Sequence, residues 1–398
     1  MAPLARIALA RGYRVAGSDK ELNSKTAELS RLGAVVHAGH DAARLPEDCD
    51  LLVFSSAIPE DNPERIAARQ RGIPEMRRGA FLAEIAKDYP FSIAVSGSHG
   101  KTSITAMLVW ILQKNGRHPG YLIGGSVDHL SPGDAGDGTV FVTEADESDG
   151  THTLLHPTVG IIPNIEDDHA WSVGGREQLF QNFRTFAGNC RKVIVPQETA
   201  ESFFHTAGMD LNVPGPAGFC GFQKADALLA AAGAETLGIS REDAFAALAD
   251  FPGVQRRMTI HYQKDGLTIV EDYAHHHTEV AAAVTLLREQ YPGQHLHLLF
   301  QPHRYARLAQ YFDRFAGELR KGDSVTVAPV FAAWTETGSL GSAELANAIG
   351  PKARAVEAGW EEIARQSLQN LPRPAVLAVL GAGDVEKVFS YLPPDESF

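Results

Sequence analysis

Short apolar segments alternate with amphipathic segments along the whole chain, and this alternation constrains the fold more than any other feature. Residues 91–95 (FSIAV), 159–165 (VGIIPNI) and 375–381 (AVLAVLG) have the length and composition of buried strands, and residues 105–116 have a helical pattern. Alternating strands and helices are typical of parallel sheets covered by crossover helices. The sequence therefore predicts the α/β class.

The alternation occurs in three successive sets, which predicts three α/β domains. Composition places them at residues 1–88, 89–258 and 259–398. A chain of 398 residues has the length of two or three domains. The third set opens with a predicted hairpin around Lys264-Asp265-Gly266, because Asp-Gly between two apolar runs is a strong hairpin signal.

Composition excludes several classes of protein. The formal charge is −13 and no block of five Lys or Arg residues occurs, which argues against an extended nucleic-acid or anionic-membrane surface. The chain has no run of about eighteen apolar residues and no export-signal pattern at its start, so we expect a cytoplasmic protein without membrane insertion. The separated Cys49, Cys190 and Cys220 predict reduced thiols rather than disulfides or a zinc site.

A glycine-rich segment between an apolar strand and a helix is the strongest local motif. Its residues are Gly97, Ser98, His99, Gly100, Lys101, Thr102 and Ser103. Backbone N–H groups at a helix N-terminus attract phosphate, a lysine reaches the terminal phosphates, and a Thr hydroxyl can bind magnesium. Val95 stands where the full Walker pattern has its first glycine, so a purely structural Gly-Lys-Thr helix start is the alternative.

Acidic residues follow two predicted strands. Glu144 begins the run Glu-Ala-Asp-Glu-Ser-Asp, and residues 166–169 read Glu-Asp-Asp-His. Ligands of open parallel sheets bind at the carboxyl ends of strands, so these side chains are candidate magnesium ligands. Acids that cap turns, and a core histidine at His169, are the structural alternatives.

Histidines and arginines mark the last third of the chain. His275, His276 and His277 follow Asp272 and Tyr273, and on a strand they would alternate faces, which argues against one zinc site. Arg304 and Arg307 are three apart and would share a face if a helix begins there. Two guanidinium groups on one face suit a small carboxylate, and a solvated charged face is the alternative.

Nine segments, in family order, together make the chain resemble the Mur ligases. They are GYRVAGSD (12–19), SSAIPEDNPE (55–64), SGSHGKTS (96–103), TEADESDGTH (143–152), PNIEDDHAW (163–171), GVQRRM (253–258), EDYAHHHTE (271–279), FQPHRYAR (300–307) and GAGD (381–384). The resemblance implies a Rossmann-like UDP-binding domain that lacks its first strand, a central phosphate-loop ATPase domain shortened between Pro196 and Gly221, and a C-terminal Rossmann-like domain.

The resemblance also implies an activity and its participants. The activity is ATP-dependent joining of L-alanine to the carboxylate of UDP-N-acetylmuramate through an acyl phosphate, in peptidoglycan precursor synthesis. ATP and Mg²⁺ are the implied cofactors, and the partners are small-molecule substrates. A family member that adds a recycled peptide, a degenerate nucleotide-binding protein and a regulatory NTPase are the alternatives. A nicotinamide oxidoreductase is disfavoured, because no G-x-G-x-x-G follows a strand.

Family positions imply the following roles. Lys101 is the phosphate-loop lysine and, with Glu144 and His169, catalytic; Thr102, Glu144 and His169 bind the metal. Residues 97–103, Gln223, Arg257 and Asp272 contact the nucleotide. Tyr273, His275, Arg304 and Arg307 contact the substrates, with the two arginines on the alanine carboxylate, and the candidates for the general base are His169 and His275.

Overall fold

The computed structural model describes residues 1–168, 170–333 and 338–393. Its strands are β1 (Ala16–Asp19), β2 (Val35–Ala38), β3 (Leu52–Phe54), β4 (Glu75–Arg77), β5 (Phe91–Val95), β6 (Gly120–Leu122), β7 (Gly133–Asp134), β8 (Val140–Glu144), β9 (Val159–Ile161), β10 (Lys192–Ile194), β11 (Thr259–Lys264), β12 (Leu267–Asp272), β13 (His295–Phe300), β14 (Ser324–Val327), β15 (Ala353–Ala355) and β16 (Ala375–Leu380).

Helices connect most of these strands. They are α1 (Ala2–Ala10), α2 (Ser24–Arg31), α3 (Pro63–Gln70), α4 (Arg78–Lys87), α5 (Lys101–Lys114), α6 (Arg176–Asn189), α7 (Gln197–Thr199), α8 (Gly221–Glu235), α9 (Arg241–Leu248), α10 (His277–Gln290), α11 (Tyr305–Gln310), α12 (Phe312–Leu319), α13 (Ser342–Ile349) and α14 (Trp360–Leu368). In the described ranges, no helix combines the length and the apolar character that crossing a bilayer needs.

The chain forms two compact units. The first contains residues 1–219 and 223–252, and the second contains residues 220–222 and 253–398. The predicted boundary near 258 lies close to the start of the second unit, whereas the predicted boundary near 88 falls within the first unit. The three-domain boundaries remain predictions, and the α/β class is confirmed.

The first unit contains a six-stranded sheet and two strand pairs. The sheet has the order β10-β9-β5-β8-β6-β7, and it is parallel except for β7. β1 pairs with β2 and β3 pairs with β4, both in parallel, and within the described residues these pairs form separate sheets.

The large sheet of the first unit is held by an apolar core. Every residue of β8 before Glu144 is buried, and α5 buries its residues from Ile104 to Leu112 against the sheet. Phe141, Phe183 and Phe186 are fully buried in an apolar cluster of this unit. Burial of such large side chains stabilises the folded state by roughly 1.5–3 kcal/mol each. The sheet that carries the phosphate loop is therefore well packed.

The second unit begins with the predicted hairpin. β11 and β12 are antiparallel, Lys264 pairs with Leu267, and the two turn residues Asp265 and Gly266 have φ angles of 53° and 70°. Positive φ at both positions defines a type I′ turn, for which Asp-Gly is a preferred pair. The hairpin continues into a sheet of order β11-β12-β16-β13-β14-β15, whose remaining pairs are parallel.

Candidate active site

The phosphate loop lies at the carboxyl edge of the large sheet in the first unit. It follows β5, which pairs with β8 on one side and β9 on the other. Gly100 is the N-cap of α5 and has a φ of 85°, a backbone conformation that favours glycine. A Cβ at Gly100 would also lie 2.7 Å from Oδ1 of Asp226. The loop lies between β5 and α5, Glu144 ends the neighbouring β8, and the acids at 166–168 follow β9 after a short segment.

The segment after β9 fixes the loop's backbone. The N–H of His99 donates to Oδ1 of Asn164 at 2.8 Å, and the Asn164 side chain donates back to the His99 carbonyl oxygen at 3.2 Å. The Ser98 hydroxyl accepts from the N–H of Glu166 at 2.7 Å, and His99 Nε2 lies 3.2 Å from Glu166 Oε2. These hydrogen bonds tie the loop to the segment that follows β9.

The ammonium group of Lys101 is folded back onto its own loop. It donates to the carbonyl oxygens of Gly97 at 2.6 Å and Ser98 at 3.3 Å, and it lies 2.9 Å from Oε2 of Glu147. Burial alone would lower the pKa of Lys101, but the Glu147 carboxylate raises it above its ordinary value. Lys101 is therefore a cation at neutral pH, as phosphate binding requires.

Thr102 and Glu144 form the predicted oxygen pair beside the loop. The Thr102 hydroxyl donates to Oε2 of Glu144 at 3.0 Å, and the backbone N–H of Gly124 donates to Oε1 of the same carboxylate. A carboxylate and a hydroxyl next to a phosphate loop are the hard oxygen ligands that Mg²⁺ prefers. These two residues fit a magnesium site. The predicted third ligand, His169, lies outside the described residues.

Three residues of this site were missed by the sequence analysis. Glu147 is 1% exposed and contacts Lys101, Asn164 holds the loop backbone, and the buried Asp226 lies beside Gly100. Asn164 and Glu147 belong to segments that carry the family resemblance, so their positions in those segments could have drawn attention to them. Asp226 has no local signal, because only the tertiary fold brings α8 to the loop.

The second unit carries a separate group of predicted residues at the end of β12. Asp272 is buried, and its carboxylate accepts from the N–H groups of Met258 at 2.9 Å and Ala274 at 2.8 Å. Burial raises the pKa of Asp272 to about 6, although Arg257 acts in the opposite direction. Arg257 lies 3.7 Å from Glu279. Asp272 thus ends the strand and orders the turn that follows it.

The three consecutive histidines do not lie on a strand, and the premise that they alternate across one is wrong. β12 ends at Asp272, and α10 begins at His277 with His276 as its N-cap. The reason is that the Asp272 carboxylate accepts from the Ala274 N–H and turns the chain. His275 lies beside Tyr273, whereas His276 and His277 lie beside each other and both contact Tyr311.

Tyr273, His275 and Arg307 come together around His303. The rings of Tyr273 and His275 are 5.3 Å apart, and those of His275 and His303 are 5.5 Å apart. Nη1 of the buried Arg307 lies 3.0 Å from Nδ1 of His303. His275 Nδ1 lies 2.9 Å from the carbonyl oxygen of Tyr273 and therefore carries a proton, which leaves the ring's lone pair on Nε2 in its neutral form.

Arg304 does not share a helix face with Arg307, because α11 begins one residue later. Arg304 is the N-cap of α11 with a φ of 67°, and its N–H donates to the carbonyl oxygen of Phe331 at 2.8 Å. A left-handed arginine is costly, by roughly 1–3 kcal/mol, and such strain concentrates at functional sites. The two arginines remain neighbours along the chain, but their predicted joint role no longer rests on helical spacing.

The remaining predicted nucleotide contacts are half-buried. Ser103 lies in the first turn of α5, and Gln223 lies in the first turns of α8. The described structure of the first unit thus brings together Lys101, Thr102 and Glu144. That of the second unit brings together Tyr273, His275 and Arg307.

Comparison with known proteins identifies related sequences over almost the whole chain. The family model described as "Mur ligase family, catalytic domain" matches residues 1–90, and "Mur ligase, glutamate ligase domain" matches residues 256–383. The UDP-N-acetylmuramate--L-alanine ligase of Chlorobium phaeobacteroides is 32% identical, with 97% of this chain and 92% of the relative aligned. The enzyme of the same name from Syntrophomonas wolfei is 33% identical, with 98% and 93% aligned.

A solved structure resembles the fold over nearly its full length. It is the UDP-N-acetylmuramate-alanine ligase MurC from Thermotoga maritima, with a TM-score of 0.80, 25% identity and coverage of 98% of this chain and 95% of that one. A murein peptide ligase from Psychrobacter arcticus shares the fold with a TM-score of 0.67 at 21% identity. The phosphate loop lies beside an acidic residue at a strand end, and the sequence similarity extends from the first strand pair to the GAGD segment. From these findings together we conclude that this chain belongs to the Mur ligase family.

Proposed function

We propose that the chain is an ATP-dependent ligase that joins L-alanine to the carboxylate of UDP-N-acetylmuramate, acting in the cytoplasm. The observation that carries this proposal is the contact between Thr102 and Glu144 beside the loop that presents Lys101. Binding of a nucleoside triphosphate with its metal needs this combination of a cation, loop amides and oxygen ligands. The near full-length similarity to curated enzymes of that name supports the choice of substrates.

The proposed reaction has two steps. The muramate carboxylate attacks the γ-phosphorus of ATP, ADP leaves, and an acyl phosphate forms. The uncharged amine of L-alanine then attacks the acyl carbon, and inorganic phosphate leaves as the amide bond forms. In the first step Lys101 and the loop N–H groups stabilise the charge that develops on the transferring phosphoryl group. Mg²⁺, held by Thr102, Glu144 and His169, would supply further charge neutralisation when bound.

The second step requires a carboxylate anchor and a proton acceptor. We assign the anchor to Arg304 and Arg307, since guanidinium groups form paired hydrogen bonds with carboxylates. His169 and His275 are the candidates for the acceptor. For His275 the assignment is supported by its Nδ1 contact with the Tyr273 carbonyl, which directs the lone pair of the neutral ring to Nε2. Gln223, Arg257 and Asp272 are assigned to the nucleotide on family position.

The function is tested by phosphate release from ATP in the presence of UDP-N-acetylmuramate. We expect release with L-alanine and much less with glycine, L-serine or a tripeptide. Preferred use of the tripeptide would favour the recycled-peptide reaction instead. Release with none of the four acceptors by a folded protein would contradict the ligase assignment.

Lys101→Ala is the matched test of the site. Loss of the ammonium group is expected to lower the rate of phosphate release by about a hundredfold or more, since one donor to a developing anion contributes that much. Lys114→Ala, at the other end of the same helix and paired with Asp250, is the control that should retain activity. Equal activity of the two folded variants would show that the loop does not act on ATP.

A further inference from the structure

Glu147 has the least exposed side chain among the acids of the segment that follows β8. Its side chain is 1% exposed, whereas those of Asp146 and Asp149 are 41% and 22% exposed and lie near Arg78, at 3.7 Å and 3.3 Å. A buried carboxylate is costly unless it is paired with a cation or hydrogen-bonded. Glu147 therefore faces inward for a reason that its two acidic neighbours do not share.

Glu147 contacts the ammonium group of Lys101. Both carboxylate oxygens of Glu147 lie within hydrogen-bond distance of the ammonium nitrogen, Oε1 at 3.1 Å and Oε2 at 2.9 Å. The other donors of the ammonium group reach the carbonyl oxygens of Gly97 and Ser98. An ammonium group has three N–H donors, and these contacts use all of them within the protein.

We propose that Glu147 is a positioning residue that holds the Lys101 ammonium group on the loop when no nucleotide is bound, so that nucleotide binding must displace this carboxylate. The inference rests on the proposed nucleotide role of the loop. It assigns to Glu147 a function distinct from that of Glu144, whose carboxylate contacts Thr102 and Gly124 instead. Burial raises the pKa of Glu147, and Lys101 acts in the opposite direction.

If the Glu147 carboxylate competes with phosphate for Lys101, its removal should change the affinity for nucleotide in a predictable direction. Phosphate oxygens and the Glu147 carboxylate are alternative partners for the same three donors, so removal of the negative charge at Glu147 should strengthen nucleotide binding. A residue that only supports the loop structure would have the opposite effect, because its loss would disorder the loop and weaken binding. The two roles are therefore distinguished by the direction of the change.

The experiment is isothermal titration calorimetry of the full-length chain with ADP. In Glu147→Gln we expect the dissociation constant for ADP to fall about tenfold, the size of one hydrogen bond to a charged group. The steady-state KM for ATP should fall in parallel without an increase in kcat. Unchanged or weaker ADP binding by the folded variant would overturn the proposal.

Asp146→Asn is the matched control for charge. It removes one negative charge next to Glu147, and the amide oxygen can still accept from Ser148, as Oδ1 does at 2.9 Å. We expect its ADP affinity to stay within about twofold of the wild type. A gain equal to that of Glu147→Gln would overturn the proposal, because it would show that general electrostatics, not the contact with Lys101, sets the affinity.

A second variant and a folding check distinguish failure of this proposal from failure of the proposed function. If Glu147→Gln does not fold, Glu147→Asp shortens the side chain by one methylene and should tighten ADP binding by a smaller factor, whereas unchanged binding would contradict the proposal. If the wild type itself does not bind ADP, the proposed function fails before the role of Glu147 is addressed. Circular dichroism of each variant establishes that it is folded.

Discussion

Glu144 at the end of β8 and Glu147 three positions later contact different partners, and the sequence pointed to only the first of them. Glu144 was predicted as an oxygen ligand because it ends a strand beside the loop, and the contact with Thr102 agrees with that prediction. Glu147 was given no role. The direction in which each side chain of a turn points is decided by tertiary packing, so the sequence could place the acids at this edge but could not divide their roles.

His152 provides a prediction about stability. Its side chain is fully buried against Phe183 and Phe186, and neither ring nitrogen has a hydrogen-bond partner among the described residues. Burial lowers the pKa of His152 to about 4. The unfolded state therefore binds a proton between about pH 6.5 and 4 that the folded state does not, and stability falls as the pH falls through this window.

We expect His152→Leu to remove this dependence. The wild type should lose about 2 kcal/mol more unfolding free energy than the variant between pH 7 and pH 5. Urea denaturation at both pH values measures the difference. An equal pH dependence of the two proteins would mean that His152 is not buried in its neutral form.

His297 is the control histidine. It is also buried, with a pKa lowered to about 3, but its ring nitrogens contact the hydroxyl groups of Ser324 at 2.7 Å and Thr326 at 3.0 Å. His297→Leu should therefore destabilise the chain at pH 7 by about 1–3 kcal/mol, because it removes the hydrogen-bond partner of the buried Thr326 hydroxyl. His152→Leu leaves no such group, and its cost at pH 7 should be clearly smaller.

At the scale of elements, the β11–β12 hairpin was predicted correctly because its signal is local. Asp265-Gly266 both adopt the positive φ angles that a type I′ turn requires. Gly266→Ala should cost roughly 1 kcal/mol of unfolding free energy, since alanine is strained at a φ of 70°. Asp265→Asn should be nearly neutral, because Asn-Gly is equally suited to this turn. Urea denaturation of both variants tests the assignment, and equal stability of the two would contradict it.

The end of β12 was predicted less well, for a physical reason. The apolar pattern continues into Ala274, so the sequence extends the strand into the histidines. In the structure the buried Asp272 carboxylate accepts from two backbone N–H groups and ends the strand. Whether an acid at such a position continues a strand or caps a turn depends on burial, which one sequence does not reveal.

At the scale of the whole molecule, two compact units with separate cores predict unfolding that is not two-state. The cluster around Phe141, Phe183 and Phe186 belongs to the first unit, and that around Phe300 and Phe315 belongs to the second. Differential scanning calorimetry should give a van't Hoff enthalpy smaller than the calorimetric enthalpy. A ratio of one would show that the units unfold together.

Nucleotide should stabilise at least the first unit, which carries the phosphate loop. ADP at a hundred times its dissociation constant stabilises the state that binds it by about 2.7 kcal/mol, which raises the unfolding temperature by several degrees. Lys101→Ala should lose this increase. Near full-length family similarity predicted the activity and the order of the segments, but only the fold shows which of them lie in the same unit.

The contact between Gly124 and Glu144 gives an ordinary loop position an unexpected importance. The N–H of Gly124 donates to the Glu144 carboxylate, and a Cβ at position 124 would lie 2.7 Å from Oε2. Any side chain there would displace the Glu144 carboxylate from its present position. A variant at Gly124 would thus mimic the loss of an acid twenty residues away, and a survey that ranks positions by chemical reactivity would overlook it.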